Sequence, residues 1–115
     1  MKILVVDDDQ SMRDMFTDMF TTLGHEVVTA KDGVEGISVY RQRFLTDEFD
    51  LVLSDNQMPR MGGVPMLMEI RAMNPTQKMA MASGDPPKMP PELADVLVLL
   101  KGSVRLKDIE GLLQK

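Results

Sequence analysis

The stretch that decides the fold is residues 3–9, Ile-Leu-Val-Val-Asp-Asp-Asp, in which a short apolar run ends in three acids. The run Ile3 to Val6 shows no alternation of polar and apolar residues, which is typical of a strand buried on both faces of a parallel sheet. A second run of this kind, Leu51 to Ser54, ends in Asp55. Both runs predict central strands of an α/β fold, with acids at the ends of the strands.

Helical and strand patterns alternate along the rest of the chain. Apolar residues recur at helical spacing from Met12 to Leu23, and Gly24 follows where a left-handed C-terminal cap belongs. Further strands are predicted at 26–30, 78–82 and 96–100, and further helices at 33–44, from Pro65 to Met73, and from Ser103 as N-cap to Leu113, with Leu106, Ile109 and Leu113 facing inward. This order predicts a doubly wound α/β sandwich on a five-stranded parallel sheet.

Length, composition and charge exclude several classes of protein. The 115 residues suffice for one domain, so we expect a single domain over 1–115 without a fused effector domain. The 13 Lys and Arg against 18 Asp and Glu give a net charge of -5, which argues against nucleic acid as a direct partner. The longest uncharged stretch, Met61 to Met68, is too short to span a membrane, and the chain has no Cys. We therefore expect a cytoplasmic protein.

Polar side chains follow four of the predicted strands. Asp7 and Asp8 follow the first, Asp55 the third, Ser83 the fourth and Lys101 the fifth. Because the carboxyl ends of parallel strands share one edge, these groups are expected to converge there. Close carboxylates need positive charge beside them, and Lys101 with a divalent cation would supply it. Oxygen ligands favour Mg²⁺ over zinc, and such a site could stabilise a transferred phosphoryl group, with Asp55 as the best candidate nucleophile.

These residues resemble the receiver domain of two-component response regulators. The motifs that carry the resemblance are Ile3 to Asp9, Asp50 to Gly63 (DLVLSDNQMPRMGG), Ser83-Gly84 and Lys101. The resemblance implies a flavodoxin-like sheet with strand order 2-1-3-4-5. It also implies that Asp55 is the phosphoacceptor, that Ser83 hydrogen-bonds the phosphoryl group, and that Lys101 pairs with it.

The resemblance also implies a metal ligand set and partners. Asp8, Asp55 and the backbone carbonyl of Gln57 would hold Mg²⁺ directly, and Asp7 would act through a bound water. A histidine kinase or a phosphotransfer protein would donate the phosphoryl group, and an unknown downstream protein would receive the signal. Such a chain would not be an enzyme beyond its own phosphoryl transfer and dephosphorylation.

The segment 84–95 departs from the family. Its four prolines at 86, 87, 90 and 91 forbid a regular helix, so the fourth helix is predicted to be vestigial or replaced by a proline-rich loop. In receivers this helix helps to form the output and dimer face. We therefore expect Ser83, Gly84 and the loop Asp85 to Pro91 to form the responsive surface, and the choice between monomer and dimer stays open.

The end of the fifth predicted strand also departs from the family. Val98 stands where many receivers carry an aromatic side chain that reports phosphorylation. Gly102 replaces a proline whose peptide bond after Lys101 is often cis, and a non-proline cis bond is costly. The segment 102–104 is about one residue longer than expected, which favours a rebuilt loop over a retained cis bond.

The sequence leaves one other function open and disfavours two more. A non-phosphorylated pseudo-receiver that acts as a protein-interaction module would explain Val98, Gly102 and the prolines. A magnesium-dependent phosphohydrolase is disfavoured, because those enzymes need an acid where this chain has Gln57. A flavin or nucleotide carrier is disfavoured, because the acids after the first strand would repel a phosphate.

Overall fold

Five parallel strands form one sheet in the computed structural model, which describes residues 1–114. The order of the strands across the sheet is β2-β1-β3-β4-β5, which confirms the predicted doubly wound, flavodoxin-like arrangement. The strands are β1 Lys2–Val6, β2 Glu26–Ala30, β3 Leu51–Ser54, β4 Met79–Ser83 and β5 Leu97–Leu100. Each boundary lies within one residue of the boundary predicted from the hydrophobic pattern.

Four α-helices cover the two faces of this sheet. They are α1 Gln10–Thr22, α2 Gly33–Phe44, α3 Gly63–Met73 and α4 Leu106–Leu112. The starts of α1 and α2 have a clear local cause, because the carboxylates of Asp9 and Asp32 accept hydrogen bonds from the first free backbone N–H groups. Helix α1 ends before Gly24, whose φ of +90° confirms the predicted left-handed position. No helix within residues 1–114 combines the length and apolarity required to cross a membrane.

The core consists of two apolar layers, one on each face of the sheet. Leu4 and Val6 of β1 belong to the layer under α2 and α3, and Ile3 and Val5 belong to the layer under α1 and α4. This division follows from the two-residue period of a strand. All four side chains are buried, so β1 has the two-sided burial predicted from its sequence.

A small polar network closes the core layer under α2 and α3. Tyr40 of α2 is buried, and its hydroxyl donates a hydrogen bond to Oε1 of Gln77 at 2.7 Å. The Nδ2 group of Asn74 donates to the same hydroxyl at 3.3 Å. Both partners lie just before β4, so the network is at the amino-terminal edge of the sheet.

The segment between β4 and β5 contains no α-helix, as its prolines predicted. A single 3-10 turn, Pro91–Leu93, takes the place of the fourth helix, and Leu93 anchors the turn with a fully buried side chain. Strand β5 is left at the edge of the sheet, where Leu97 is 46% and Leu100 59% exposed. The proline-rich segment therefore covers less of the sheet than a helix would.

The start of the last helix differs from the prediction. Ser103 does not cap it, because Lys101–Ser103 forms its own 3-10 turn and the helix begins three residues later. Arg105 is the N-cap residue, and its backbone N–H donates to Oδ2 of Asp108 at 2.9 Å. All peptide bonds among the described residues are trans, so the loop after Lys101 is rebuilt, as its extra residue suggested.

The inward face of the last helix was only partly predicted. Ile109 is buried as expected and Leu113 is partly buried, but Leu106 is 39% exposed and does not face inward. Val104, which precedes the helix, packs against the core layer instead. Leu112 is buried although the sequence did not single it out, because it lies three residues after Ile109 and so on the same face of the helix.

Candidate functional site

Three carboxylates meet at the carboxyl end of the sheet. Asp7, Asp8 and Asp55 each offer one carboxylate oxygen, and these three atoms lie within 4.8 Å of one another. The cause is the strand register, because Val6 pairs with Ser54 and the next residues of β1 and β3 are therefore neighbours. The Asp55 N–H donates to the carbonyl oxygen of Val6 at 2.8 Å. The structure thus brings together the acids that the strand-end argument selected.

The three acids differ in exposure, and the difference affects their chemistry. Asp7 is 1% and Asp55 7% exposed, whereas Asp8 lies at the surface. Burial raises the pKa of the Asp7 carboxyl, and its contact with Lys101 and its hydrogen bond from the Asp9 N–H offset this only in part. A cation near Asp7 would therefore favour the charged form of this buried carboxyl.

Lys101 brings an ammonium group into this cluster. Its Nζ atom lies 2.9 Å from Oδ2 of Asp7 and 3.0 Å from Oδ2 of Asp55. Burial alone would lower the pKa of Lys101, but the contacts with the two carboxylates outweigh burial and raise it. Lys101 therefore stays charged and holds Asp7 and Asp55 together.

The composition of the cluster fits a magnesium ion. Three carboxylates face one ammonium, so two negative charges remain, which one divalent cation would balance. The Oδ2 atom of Asp7 is buried and, among the described residues, makes no hydrogen bond of good geometry. A hard, oxygen-only donor set of this kind suits Mg²⁺ better than zinc. When bound, Mg²⁺ would neutralise charge on a transferred phosphoryl group.

Gln57 and Ser83, two further predicted site residues, lie in different surroundings. Gln57 is exposed in the loop after Asp55, and the N–H of the intervening Asn56 donates to Oδ1 of Asp55 at 2.7 Å. Ser83 ends β4, is buried, and pairs in register with Leu100, the residue before Lys101. Its hydroxyl accepts a hydrogen bond from the Asp85 N–H at 3.2 Å.

The predicted responsive residues lie next to Ser83 or on the edge strand. Gly84 is exposed, and a side chain there would meet nothing within 4 Å. The loop Asp85 to Pro91 is exposed or half-buried throughout. Val98 is partly exposed in β5 and belongs to neither core layer. The residues that follow Ser83 are therefore accessible at the surface.

Two features near the site were not found from the sequence. Arg13 of α1 donates from Nη1 to the carbonyl oxygen of Asp7 at 2.6 Å, and its signal is its place one helical turn after the N-cap Asp9. Arg60, in the loop after Asp55, forms an ion pair with the buried Asp32. No local pattern connects these two residues, which are 28 positions apart.

Comparison with known proteins agrees with this geometry. Residues 3–92 match the family model described as the response regulator receiver domain. The match covers more than half of the chain, and the chain therefore belongs to the response regulator receiver domain family.

Individual relatives show the same relationship. The chain is 39% identical over 70 residues to the probable transcriptional regulator ycf27 of Pyropia yezoensis, a match that covers 61% of this chain and 27% of that protein. The chain thus spans well under half the length of the curated relatives it matches.

Solved structures share the fold. The chemotaxis protein CheY4 of Vibrio cholerae matches with a TM-score of 0.81 and 26% identity, over 98% of this chain and 95% of that one. The response regulator protein TrrA of Thermotoga maritima, solved in complex with Mg²⁺-BeF, matches with a TM-score of 0.79 and 23% identity, over 96% and 92% of the two chains. The second likeness extends to the fold alone.

Proposed function

We propose that this chain is a phosphoacceptor switch of a two-component system, which takes a phosphoryl group on Asp55 with Mg²⁺ and then changes its binding to a partner protein. The observation that carries the proposal is the position of Asp55. Its carboxylate lies in a cluster with Asp7 and Asp8 and contacts the Lys101 ammonium at 3.0 Å. Membership of the receiver family supports the same function.

The proposed transfer uses the geometry around Asp55. An Asp55 carboxylate oxygen attacks the phosphorus of a phosphohistidine on a kinase or phosphotransfer protein. The new O–P bond forms as the N–P bond breaks, and the imidazole nitrogen takes the electron pair of that bond. Lys101 is close enough to pair with a phosphoryl oxygen, and the Asn56 N–H holds Oδ1 of Asp55 in place.

The proposed output begins at Ser83. Its hydroxyl now accepts a hydrogen bond from the Asp85 N–H, at the start of the proline-rich loop. If the Ser83 side chain rotated so that its oxygen moved toward a phosphoryl group, the Asp85 N–H would lose its acceptor, and the loop Asp85 to Pro91 could present a different surface. The receptor of the signal would be a downstream protein rather than nucleic acid, given the net charge of -5. The proposal places this exchange in the cytoplasm.

The proposal treats the chain as a switch and not as an enzyme with a separate substrate. Gln57 is an amide at the position where a phosphohydrolase would need an acid or base. The pseudo-receiver alternative is less well supported, because the acids and Lys101 that phosphoryl transfer needs are all present and clustered. The pseudo-receiver would be the better proposal if the chain proved unable to accept a phosphoryl group.

The direct experiment is to incubate the protein with acetyl phosphate and Mg²⁺ and to measure its intact mass. The wild type and the control variant Asp18→Asn, which changes an exposed acid on α1, should each gain one phosphoryl group. Asp55→Asn should gain none, and the wild type should gain none when Mg²⁺ is chelated. Absence of a gain in the wild type, with Mg²⁺ and a histidine kinase supplied, would contradict the proposal and favour the pseudo-receiver.

A further inference from the structure

Arg60 has an unusual backbone conformation in the loop that follows Asp55. Among residues 1–114 it is the one non-glycine residue with a positive φ, at 64°. This left-handed conformation is unfavourable for a residue with a long side chain, so it persists only where other contacts hold it. The contacts that hold Arg60 in this conformation therefore also restrict the conformation of the loop.

The main contact is a bidentate ion pair with Asp32. Nε of Arg60 donates to Oδ2 of Asp32 at 2.8 Å, and Nη2 donates to Oδ1 at 3.2 Å. The Asp32 side chain is buried, while that of Arg60 is about half exposed. Paired donors to a carboxylate fix orientation as well as distance. The side chain of Arg60 is thus fastened to the start of α2.

A second contact ties the same loop to the same helix. The N–H of Gly33, the first residue of α2, donates to the carbonyl oxygen of Met61 at 3.0 Å. A Cβ at Gly33 would lie 2.5 Å from this oxygen, so glycine is required there. At the far end of the loop, the N–H of Gly63 donates to the carbonyl oxygen of Asn56 at 2.7 Å. The loop between Asp55 and α3 is therefore fixed on both sides.

We propose that Asp32 and Arg60 are positioning residues for the magnesium site. Their ion pair holds the loop of residues 56–62 in one conformation, and so restricts the direction of the backbone carbonyl of Gln57, two residues after Asp55. The inference rests on the proposed function, in which that carbonyl is a metal ligand. Neither residue needs to contact the metal or the phosphoryl group.

Arg60 is the residue at which the backbone of this loop turns. Without Asp32, nothing would favour its left-handed conformation, and the backbone would relax toward negative φ. That change would reorient the adjacent peptides and break the turn in which the Met61 N–H donates to the Pro59 carbonyl oxygen at 2.7 Å. Gln57 lies three residues before Arg60 in the same loop, so a change of the loop backbone would also change the direction of its carbonyl.

Arg60→Gly, Asp32→Asn and the double variant test the proposal, with Mg²⁺ affinity as the readout. Glycine adopts positive and negative φ about equally readily, and asparagine still caps α2, so both variants should fold, but the loop of Arg60→Gly is no longer held in one conformation. We expect the Mg²⁺ Kd from calorimetry to rise about tenfold in Arg60→Gly, the size seen when outer partners of a metal site are removed. Asp32→Asn should show a smaller rise, and the double variant no more than Arg60→Gly.

The control variant is Arg41→Gln, which removes an ion pair with Glu69 on the exposed faces of α2 and α3. Its Mg²⁺ Kd should equal that of the wild type. As a readout that needs no metal, hydrogen exchange of the Gly33 amide should be faster in Arg60→Gly than in the wild type and the control, because that amide bonds to the loop.

The outcomes separate this inference from the function on which it rests. Variants that bind Mg²⁺ as tightly as the wild type would overturn the inference alone, even if their Gly33 amide exchanged faster. A wild type that binds no Mg²⁺ would overturn the proposed function and the inference with it. Weaker Mg²⁺ binding in both single variants, with an unchanged control, would support the inference.

Discussion

Lys101 is the residue on which the charge balance of the acid cluster depends. Its ammonium lies about equally far from the carboxylates of Asp7 and Asp55, and its side chain is 19% exposed. Removing one partner from a largely buried ion pair leaves the other charge without compensation, which is the expensive change. The loss should therefore exceed that of an ordinary surface lysine.

We expect Lys101→Met to lower the free energy of unfolding by about 2 kcal/mol at pH 7 without divalent cations, because two carboxylates would lose their partner. Urea unfolding followed by circular dichroism would measure the change. Lys107→Met, which alters an exposed lysine on α4, is the matched control and should change stability by less than about 0.5 kcal/mol. Equal losses in the two variants would contradict the expected role of Lys101.

The stabilisation by Lys101 should also depend on pH in a defined direction. Its pKa in the folded chain is raised above its ordinary value of 10.5, so the stabilising charge is fully present below that pH. The advantage of the wild type over Lys101→Met should be level from about pH 7 to pH 10 and decrease as the pH rises through the folded pKa. A series of urea midpoints against pH would reveal it, and an advantage that grows in alkali would contradict the assignment.

At this scale the sequence predicted some contacts and not others, for a physical reason. Asp7, Asp55 and Lys101 could be selected because each follows a buried strand and parallel strands end at one edge. The ion pair of Arg60 and Asp32 could not, because it depends on how two loops meet after the sheet has formed. The hydrogen bond from Arg13 to the carbonyl oxygen of Asp7 could be recognised only once Asp9 was known to cap α1, because Arg13 lies one helical turn after that cap.

Among the elements, the loss of a helix between β4 and β5 was predicted, whereas the exposure of β5 and the start of α4 were not. Proline removes a helical hydrogen bond and clashes with the preceding turn, so the loss of the fourth helix followed from four residues. The exposure of β5 did not follow, because a run such as Leu97 to Leu100 has the composition of a buried strand, and burial depends on what packs against it. The start of α4 depended on how many residues the turn after Lys101 uses, which composition does not determine.

The side chain of Leu93 should contribute most of the packing that holds the segment between β4 and β5 against the core. Its side chain is fully buried in the core layer under α2 and α3. We expect Leu93→Ala to lower the free energy of unfolding by about 3 kcal/mol, through lost burial and a remaining cavity. Glu92→Ala, at the exposed neighbouring position, should change it by less than about 0.5 kcal/mol. Chemical denaturation of both variants is the test, and a loss under 1 kcal/mol for Leu93→Ala would show that the turn is held elsewhere.

For the whole molecule, magnesium binding and folding should be linked. Three acids in close contact disfavour the folded chain, and a cation that binds only the folded state stabilises it by mass action. The unfolding temperature should rise with Mg²⁺, because binding adds about 2.7 kcal/mol to the free energy of unfolding at a concentration of 100 times the Kd. The shift should be much smaller in Asp8→Asn. This substitution removes an exposed carboxylate ligand, so it should leave the core undisturbed. Ionic strength is matched with potassium chloride, and an equal shift in both proteins would indicate general screening instead of a site.

The network around Tyr40 has an optical consequence. The chain has one tyrosine and no tryptophan, so its near-ultraviolet absorption and fluorescence come mainly from a single buried ring. That ring is bonded to Gln77 at the amino-terminal edge of the sheet, whereas the acids lie at the opposite edge. Unlabelled protein therefore carries a built-in chromophore that is remote from Asp55, so its signal should report unfolding of the core and be little affected by events at the acid cluster.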